Sequence, residues 1–446
     1  MKIIITGGGE VGYHLAKMLS GESQDIYLID ENQKRLNYIE THIDVFTIHG
    51  DATSIEVLKK AKVEQCDLVI AVTSSEETNL LVSILAKKFG AKRAIARINN
   101  QELLLPENLS IYHNLGVDDL ISPVQLAAKE IKRLVLKSAF TDNLEFEGGK
   151  LSVIGISVGD NSPLKNQTIK ESAHLNPNLT FKPIALHRKE QTIIVQSDTR
   201  ILENDILYFV TNPESVDLIM SICDQQCFDI KDIMILGGSS IGLAAAKILE
   251  KDYRVILVEK NTERCSFLAG KLKNTLVVNI DGRDVRALEE EGLGDMDAFV
   301  AVTADSESNI MSSLVAKNHD VKKTIARVEN IDYIHLSQNI GIDTLINKKI
   351  IAASNMFKYV RKGEINAVGS LHGVDAEIIE FNVKANSKVT KKPINRLGFP
   401  KTVNIAGVIR DDFGFIPFGN FQLREGDKAV VFALTESIHK IENFFS

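Results

Sequence analysis

The sequence is short of positive charge, of cysteine and of long apolar runs, and each shortage argues against a class of protein. Its 52 lysines and arginines are outnumbered by 59 aspartates and glutamates, for a net charge of −7. A nucleic-acid binder neutralises phosphates with clustered basic side chains, so that class is disfavoured. Short patches such as Lys391-Lys392 read as solvated surface. Apolar runs such as Leu68–Val72 and Phe299–Val302 are strand-sized, far below the ~20 residues of a membrane span. Met1 leads at once into Ile3-Ile4-Ile5 and glycines, without the basic segment and long apolar stretch of a secretory signal. The expectation is a cytosolic chain that meets the membrane only peripherally, through a partner. Four cysteines, Cys66, Cys223, Cys227 and Cys265, include no pair at redox or zinc spacing, so incidental thiols are expected.

Catalytic signatures are missing as well. There is no nucleophile elbow, no Tyr-x-x-x-Lys arrangement, no metal-ligand cluster and no Walker lysine after the glycines. The chain reads as built to bind and respond rather than to catalyse.

What is present is repetition. With 446 residues, 44% hydrophobic and 25% charged, the chain is long enough for several cores. Lys2–Asn99 lies over Asp232–Glu329, with Ile3-Ile4-Ile5-Thr6-Gly7-Gly8 on Ile233-Met234-Ile235-Leu236-Gly237-Gly238. Gly7, Gly12, Asn79 and Arg97 recur as Gly237, Gly242, Asn309 and Arg327, a constant offset of 230. Such periodicity marks a duplicated unit. Within each copy, short β-branched runs alternate with amphipathic stretches, the rhythm of β-α-β units on a parallel sheet. Strands are expected near 2–6, 25–30, 45–49, 67–73 and 94–98, apolar throughout because helices cover both faces. A helix is expected over Val11–Ser20, with Val11, Leu15, Met18 and Leu19 on one side.

Apolar helices follow each copy, from about Ser122 to Leu136 and from about Lys348 to Val360. They either cover their own sheet or form an interface. Alternating segments then take over, at Leu144–Val158 and at Glu377–Val383. The expected architecture is α/β: two doubly wound Rossmann-like parallel-sheet domains, 1–142 and 230–366, each followed by a small α+β module, 143–229 and 367–446.

Gly7-Gly8-Gly9-Glu10-Val11-Gly12 is a G-x-G-x-x-G sequence between a strand and a helix. Gly7 makes the tight turn, Gly9 lets backbone approach a pyrophosphate, and Gly12 permits close helix packing. Glu10 and Val11 open the helix, whose free N–H groups favour phosphate. Asp30 follows Gly7 by 23 residues and ends the second strand, where a carboxylate accepts ribose hydroxyls and repels a 2′-phosphate. Gly50-Asp51-Ala52-Thr53 either lines the adenine end or is a simple turn. Thr73, Ser74 and Glu76 fall at the fourth strand's end, where ligand crevices form; Asn79 is a ligand contact or a cap. Arg97, inside an apolar run, must pair or reach a phosphate, since a lone buried charge is costly. The second copy keeps Gly237, Gly242 and the carboxylate Glu259 but has Ser239 at the close-approach position and Asp281-Gly282 in reversed order. Its site is expected to be weaker, differently selective or empty.

Together these motifs, with the Ala71-Val72-Thr73 strand and Ile95-Ala96-Arg97, resemble the TrkA family over essentially the whole chain. Members are cytosolic regulatory subunits of bacterial Trk potassium uptake, built from two RCK (KTN) domains. The resemblance implies a homotetrameric ring beneath a TrkH-type potassium-transporting membrane subunit. It implies binding of NAD or NADH, and of ATP or ADP, in the first Rossmann site, with ring shape following the nucleotide. In that picture Gly7, Gly9 and Gly12 cradle phosphates, Asp30 holds ribose, and Arg97 senses a terminal phosphate or a neighbouring subunit. Asn99 stands where members often carry another arginine. The competing class is an NAD-dependent oxidoreductase, which needs a proton donor near the nicotinamide. The ten histidines are scattered, none recurs between copies, and His14 is expected on the surface.

Overall fold

The computed structural model describes residues 1–20, 24–136, 142–189, 191–225, 229–330, 341–357, 359, 365–370, 376–434 and 437–445. Cys227, and residues 358 and 360 of the expected second apolar helix, lie outside them.

The first half runs β1 (Lys2–Thr6), α1 (Glu10–Ser20), β2 (Asp25–Asp30), α2 (Gln33–His42), β3 (Phe46–His49), α3 (Ile55–Lys60), β4 (Leu68–Ala71), α4 (Glu76–Lys88), β5 (Arg93–Arg97), α5 (Pro106–Asn114), β6 (Asp119–Ile121) and α6 (Pro123–Leu136). Its strands pair in parallel, in the order β3-β2-β1-β4-β5-β6. The order reverses between β1 and β4, which opens a crevice at the strands' carboxyl ends. Ile3, Ile4 and Ile5 are buried on both faces of β1. The edge strand differs from the expectation of burial throughout: Phe46 in β3 is 60% exposed, because at the sheet margin its face is covered only by the ring of Tyr27 on the next strand. On α1, Val11, Leu15, Ala16 and Leu19 are buried and Met18 is partly so. His14 is half-buried rather than a surface residue, and burial followed by the charge of Lys17 lowers its pKa.

After the first half come β7 (Asp142–Phe146), β8 (Leu151–Ser157), β9 (Phe181–Arg188), β10 (Gln191–Ile194), β11 (Ile206–Thr211) and α7 (Val216–Ile222), an antiparallel sheet ordered β10-β9-β11-β8-β7. The second half repeats the first: β12 (Asp232–Leu236), α8 (Ser240–Leu249), β13 (Arg254–Val258), α9 (Thr262–Ala269), β14 (Thr275–Val278), α10 (Val285–Glu290), β15 (Ala298–Ala301), α11 (Ser306–Asn318), β16 (Lys323–Arg327), β17 (Thr344–Ile346) and α12 (Lys348–Phe357). Its parallel order, β14-β13-β12-β15-β16-β17, matches the first. A second antiparallel sheet closes the chain, with β18 (Ile365–Ser370), β19 (Ala376–Asn382), β20 (Val403–Arg410), β21 (Phe413–Phe415) and β22 (Lys428–Leu434) followed by α13 (Ile438–Phe445).

The two apolar helices are exchanged between the halves. Val124, Ala127, Ile131, Leu134 and Val135 of α6 share a core with Ile241, Ala244, Ala245 and Leu249 of α8 and with β12. Ala352, Ala353, Met356 and Phe357 of α12 share a core with Leu15 and Leu19 of α1 and with β1. Each fully buried aliphatic side chain contributes at most ~1.5–3 kcal/mol relative to exposure, so a stripe of five is a firm joint. Lys132 adds an ion pair to Asp252 at 2.6 Å across it. The small sheets pair likewise. Val153, Ile184, Tyr208 and Val210 pack against Ile378, Ala406, Val430 and Phe432. Lys182, in their seam, donates from Nζ to Asn404 Oδ1 at 2.9 Å, Ile405 O at 3.1 Å and Pro417 O at 3.3 Å.

Candidate nucleotide crevice

At the strand-order reversal of the first half lies a cavity of about 1040 Å³, lined among others by Gly7, Gly9, Asp30, Asp51, Thr73 and Arg97. That volume lies at the upper end of small-molecule sites. Gly7 adopts φ of +102°, and a Cβ there would stand 2.8 Å from Thr73 N, so only glycine turns the chain here. At Gly12 a Cβ would meet Gly7 O at 1.9 Å, which sets how closely α1 approaches the turn. A Cβ at Gly9 would meet nothing within 4 Å, so the space beside it is open toward the cavity. Turn and opening fit the close approach of a pyrophosphate.

Asp30 Oδ2 accepts the Gly8 N–H at 2.6 Å and Oδ1 accepts the Asn32 N–H at 2.7 Å. Each oxygen keeps lone-pair capacity for a further donor. Arg35 Nη1 stands 3.9 Å from Oδ2. Arg97 sits at the other side of the crevice, at the end of β5. Its Nε is buried without a hydrogen-bond partner, and burial lowers the guanidinium's pKa. Such a group is under-satisfied as it stands.

Of the residues picked from the sequence, Gly7, Gly9, Glu10, Val11, Asp30, Asp51, Ala52, Thr73, Ser74 and Arg97 line the cavity together. Gly12 and Glu76 do not. Gly12 acts from behind the turn, while Glu76 Oε2 accepts the N–H groups of Asn99 at 2.7 Å and Asn100 at 2.8 Å, fixing the chain after β5. Asp51 serves the turn as well, taking Thr53 N–H at 2.7 Å and Thr53 Oγ1–H at 2.8 Å. Asn79 is a buried fastener: Oδ1 accepts Thr73 N–H at 2.8 Å, and Nδ2 donates to Arg97 O at 2.9 Å. It holds the ends of β4 and β5 together, and Asn309 repeats it with Thr303 and Arg327. Sequence reading missed Asn32, Lys34 and Arg35, which also line the cavity. Their signal was position: Asn32 caps α2 immediately after Asp30.

The second crevice, about 560 Å³, contains Gly237, Ser239 and Glu259 in its lining but is partly filled by the chain itself. Ser239 Oγ donates to Val302 O at 2.8 Å and accepts the Gly242 N–H at 3.2 Å, so the helix N-terminus is already capped. Arg264 Nε donates to Gly238 O at 2.7 Å. Arg283 pairs with Asp281 at 2.6 Å, and its hydrogen bonds hold that carboxyl down at about 2. Glu259 repeats the Asp30 geometry, accepting Gly238 N–H at 2.8 Å and Asn261 N–H at 2.9 Å. Arg327 shares the unpartnered Nε but differs from Arg97 in that its guanidinium is ion-paired with Glu329. The position matching Glu329 in the first half is Asn99, and Arg97 has no ion pair among the described residues.

Fold and site define a tandem Rossmann-type protein with a larger crevice in the first half and a smaller one, partly filled by its own side chains, in the second. The TrkA-N domain family matches residues 3–123 and 233–348, and the TrkA-C domain family matches residues 153–224 and 378–446. The chain is 32% identical to the Trk system potassium uptake protein TrkA homolog of Archaeoglobus fulgidus, covering 100% of both chains. It is 32% identical to the Trk system potassium uptake protein TrkA of Halomonas elongata, covering 100% of this chain and 98% of that one. Its fold is similar to the GsuK channel bound to NAD, with TM-score 0.59 and 16% identity over 99% of this chain and 78% of that one. GsuK bound to ADP gives TM-score 0.50 and 13% identity over 80% and 69%. The chain belongs to the TrkA family of potassium uptake regulatory proteins.

Proposed function

We propose that the first half binds an adenine nucleotide and that the chain is the nucleotide-responsive regulatory subunit of a potassium uptake system. The observation that carries this reading is Arg97: a partly buried guanidinium that lines the open cavity with no ion pair among the described residues, across the strand-order reversal from the Asp30 carboxylate. Three strand spacings, roughly 14 Å, separate β2 from β5. A ligand with ribose hydroxyls at one end and phosphates at the other satisfies both. NAD or NADH, and ATP or ADP, have that form. The NAD- and ADP-bound states of the similarly folded GsuK support the choice.

In this reading the Rossmann halves of four chains build a ring under a TrkH-type membrane subunit, and the protein performs no chemistry of its own. No helix among the described residues is long and apolar enough to cross a membrane; in this reading the chain meets the membrane through that partner. Nucleotides that favour different ring shapes then set the pore, because a ligand shifts an equilibrium only by its differential affinity for the two states. The exchanged helices α6 and α12 give a mechanical link, since movement of α1 in the first half displaces a helix of the second.

The test is calorimetric titration of ATP, ADP, NAD and NADH into nucleotide-free protein, wild type and Asp30→Ala. Binding that the variant loses supports the site, and nucleotide-dependent potassium flux through the reconstituted partner supports the role. Absence of binding by all four ligands removes the reading.

A further inference from the structure

The phosphate-facing turn of the first half carries an acid where an anion has to dock. Glu10 is the first residue of α1 and lines the cavity. An uncompensated carboxylate there repels phosphate and cancels part of the attraction of the helix N-terminus. Its compensation comes from the other half of the chain. Lys349, the second residue of α12, is ion-paired with Glu10 and also with Glu329 Oε2, the latter at 2.6 Å. Glu329 is in turn paired with Arg327, which donates to Thr303 O at 3.2 Å, and Thr303 lines the second crevice. Four side chains thus connect the two crevices.

The arrangement is held and is one-way. Packing of Ala352, Ala353 and Met356 against α1 fixes where α12 begins, and the Lys349 side chain is only 17% exposed while that of Glu10, at the cavity mouth, is 63% exposed. At the positions that match by the repeat, the second half has Ser240 for Glu10 and the first half has Val124 for Lys349. An acid–lysine pair of this kind therefore serves only the first crevice. Lys348 lies beside it. Burial first, and then the charge of Arg327, lower the pKa of that ammonium, opposed by Glu329 and reinforced by Arg97.

We propose that the second half completes the first nucleotide site: Lys349, a positioning residue, neutralises Glu10 so that a polyphosphate can dock at the Gly7–Gly12 turn. This rests on the nucleotide reading of that crevice. Because the compensated charge is electrostatic, its worth grows with the charge of the ligand, so ATP depends on Lys349 more than ADP, and ADP more than NAD.

The experiment titrates ATP, ADP and NAD calorimetrically into wild type, Lys349→Met, Lys349→Arg, Glu10→Gln and the Glu10→Gln/Lys349→Met double variant, with thermal unfolding as a folding control. Lys349→Met is expected to weaken ATP about tenfold and NAD about threefold at most. Lys349→Arg should stay near wild type, and the double variant should recover most of the loss, because the repelling carboxylate is gone. Equal binding by wild type and Lys349→Met overturns the proposal while leaving the nucleotide site intact. An equal loss for all three ligands that Glu10→Gln does not repair also overturns it, assigning Lys349 a purely structural role. Failure of wild type to bind any of the three overturns the nucleotide reading, and this proposal with it.

Discussion

Asp30 Oδ2 accepts the backbone N–H of Gly8 at 2.6 Å, so the acid at the end of β2 fastens the glycine turn that follows β1. Glu259 and Gly238 repeat the bond at 2.8 Å in the second half. The carboxylate therefore has a structural duty in both halves and lines a cavity in each, the first about 1040 Å³ and the second about 560 Å³. Asp30→Ala is expected to abolish nucleotide binding and also to destabilise the first half by ~1–2 kcal/mol, since the Gly8 N–H loses its acceptor. Asp30→Asn keeps one acceptor oxygen and should restore much of the stability but little of the affinity. Calorimetry and thermal unfolding read the two effects separately.

Gly9 and Gly12 should separate in the opposite way. A Cβ at Gly12 meets Gly7 O at 1.9 Å, whereas one at Gly9 meets nothing within 4 Å. Gly12→Ala should force α1 away from the turn and cost about 2 kcal/mol or more. Gly9→Ala should leave the melting temperature unchanged while weakening nucleotide binding at least tenfold. Loss of stability in Gly9→Ala, or its absence in Gly12→Ala, contradicts the geometry.

Arg97 and Asn99 give a test that uses the repeat. Arg327 is paired with Glu329, and Asn99 occupies the matching place beside Arg97. Asn99→Glu should supply the missing partner, raise the stability of the ligand-free protein by about 1 kcal/mol and reduce affinity for ATP. Arg97→Met should likewise weaken ATP more than NAD. Unaltered ATP affinity in both variants excludes phosphate contact at Arg97.

Lys182 predicts a pH dependence. Burial in the seam of the small sheets holds its ammonium pKa down at about 8, against ~10.4 in an unfolded chain. Between those values the unfolded state binds more protons than the folded state, so stability should rise with pH from about 8 toward 10 and be insensitive to this group below 8. The rise amounts to a few kcal/mol at most, because three carbonyl oxygens accept from the charged form. Thermal unfolding of wild type and Lys182→Met across that range checks it: the rise should disappear in the variant.

The duplication, the parallel-sheet rhythm and most of the first crevice were legible because they are local. Gly7, Gly9 and Asp30 are tied to turn and strand ends within 23 residues of one another, and period alone places them on strands or loops. Ser239 marked a local difference between the two crevices, since its hydroxyl caps its own helix. The burial of β3 was misjudged, since a strand's own residues do not disclose whether it lies at the sheet margin, where its faces are left partly uncovered.

By itself, then, the sequence determined what each half is: a glycine turn, an acid at the end of the second strand and an arginine at the end of the fifth, written twice with one copy altered. The tertiary structure decided how the halves depend on each other. The apolar stripe of α6 fits either sheet in composition, and only packing shows that Val124–Val135 completes the second half while Ala352–Phe357 completes the first. Glu10 and Lys349 are 339 positions apart and belong to no shared motif, so their pairing exists only once the helices cross. Local patterns fix secondary structure and turns, but a contact between distant segments depends on which apolar surfaces meet, and the repeat made two choices equally plausible on sequence alone.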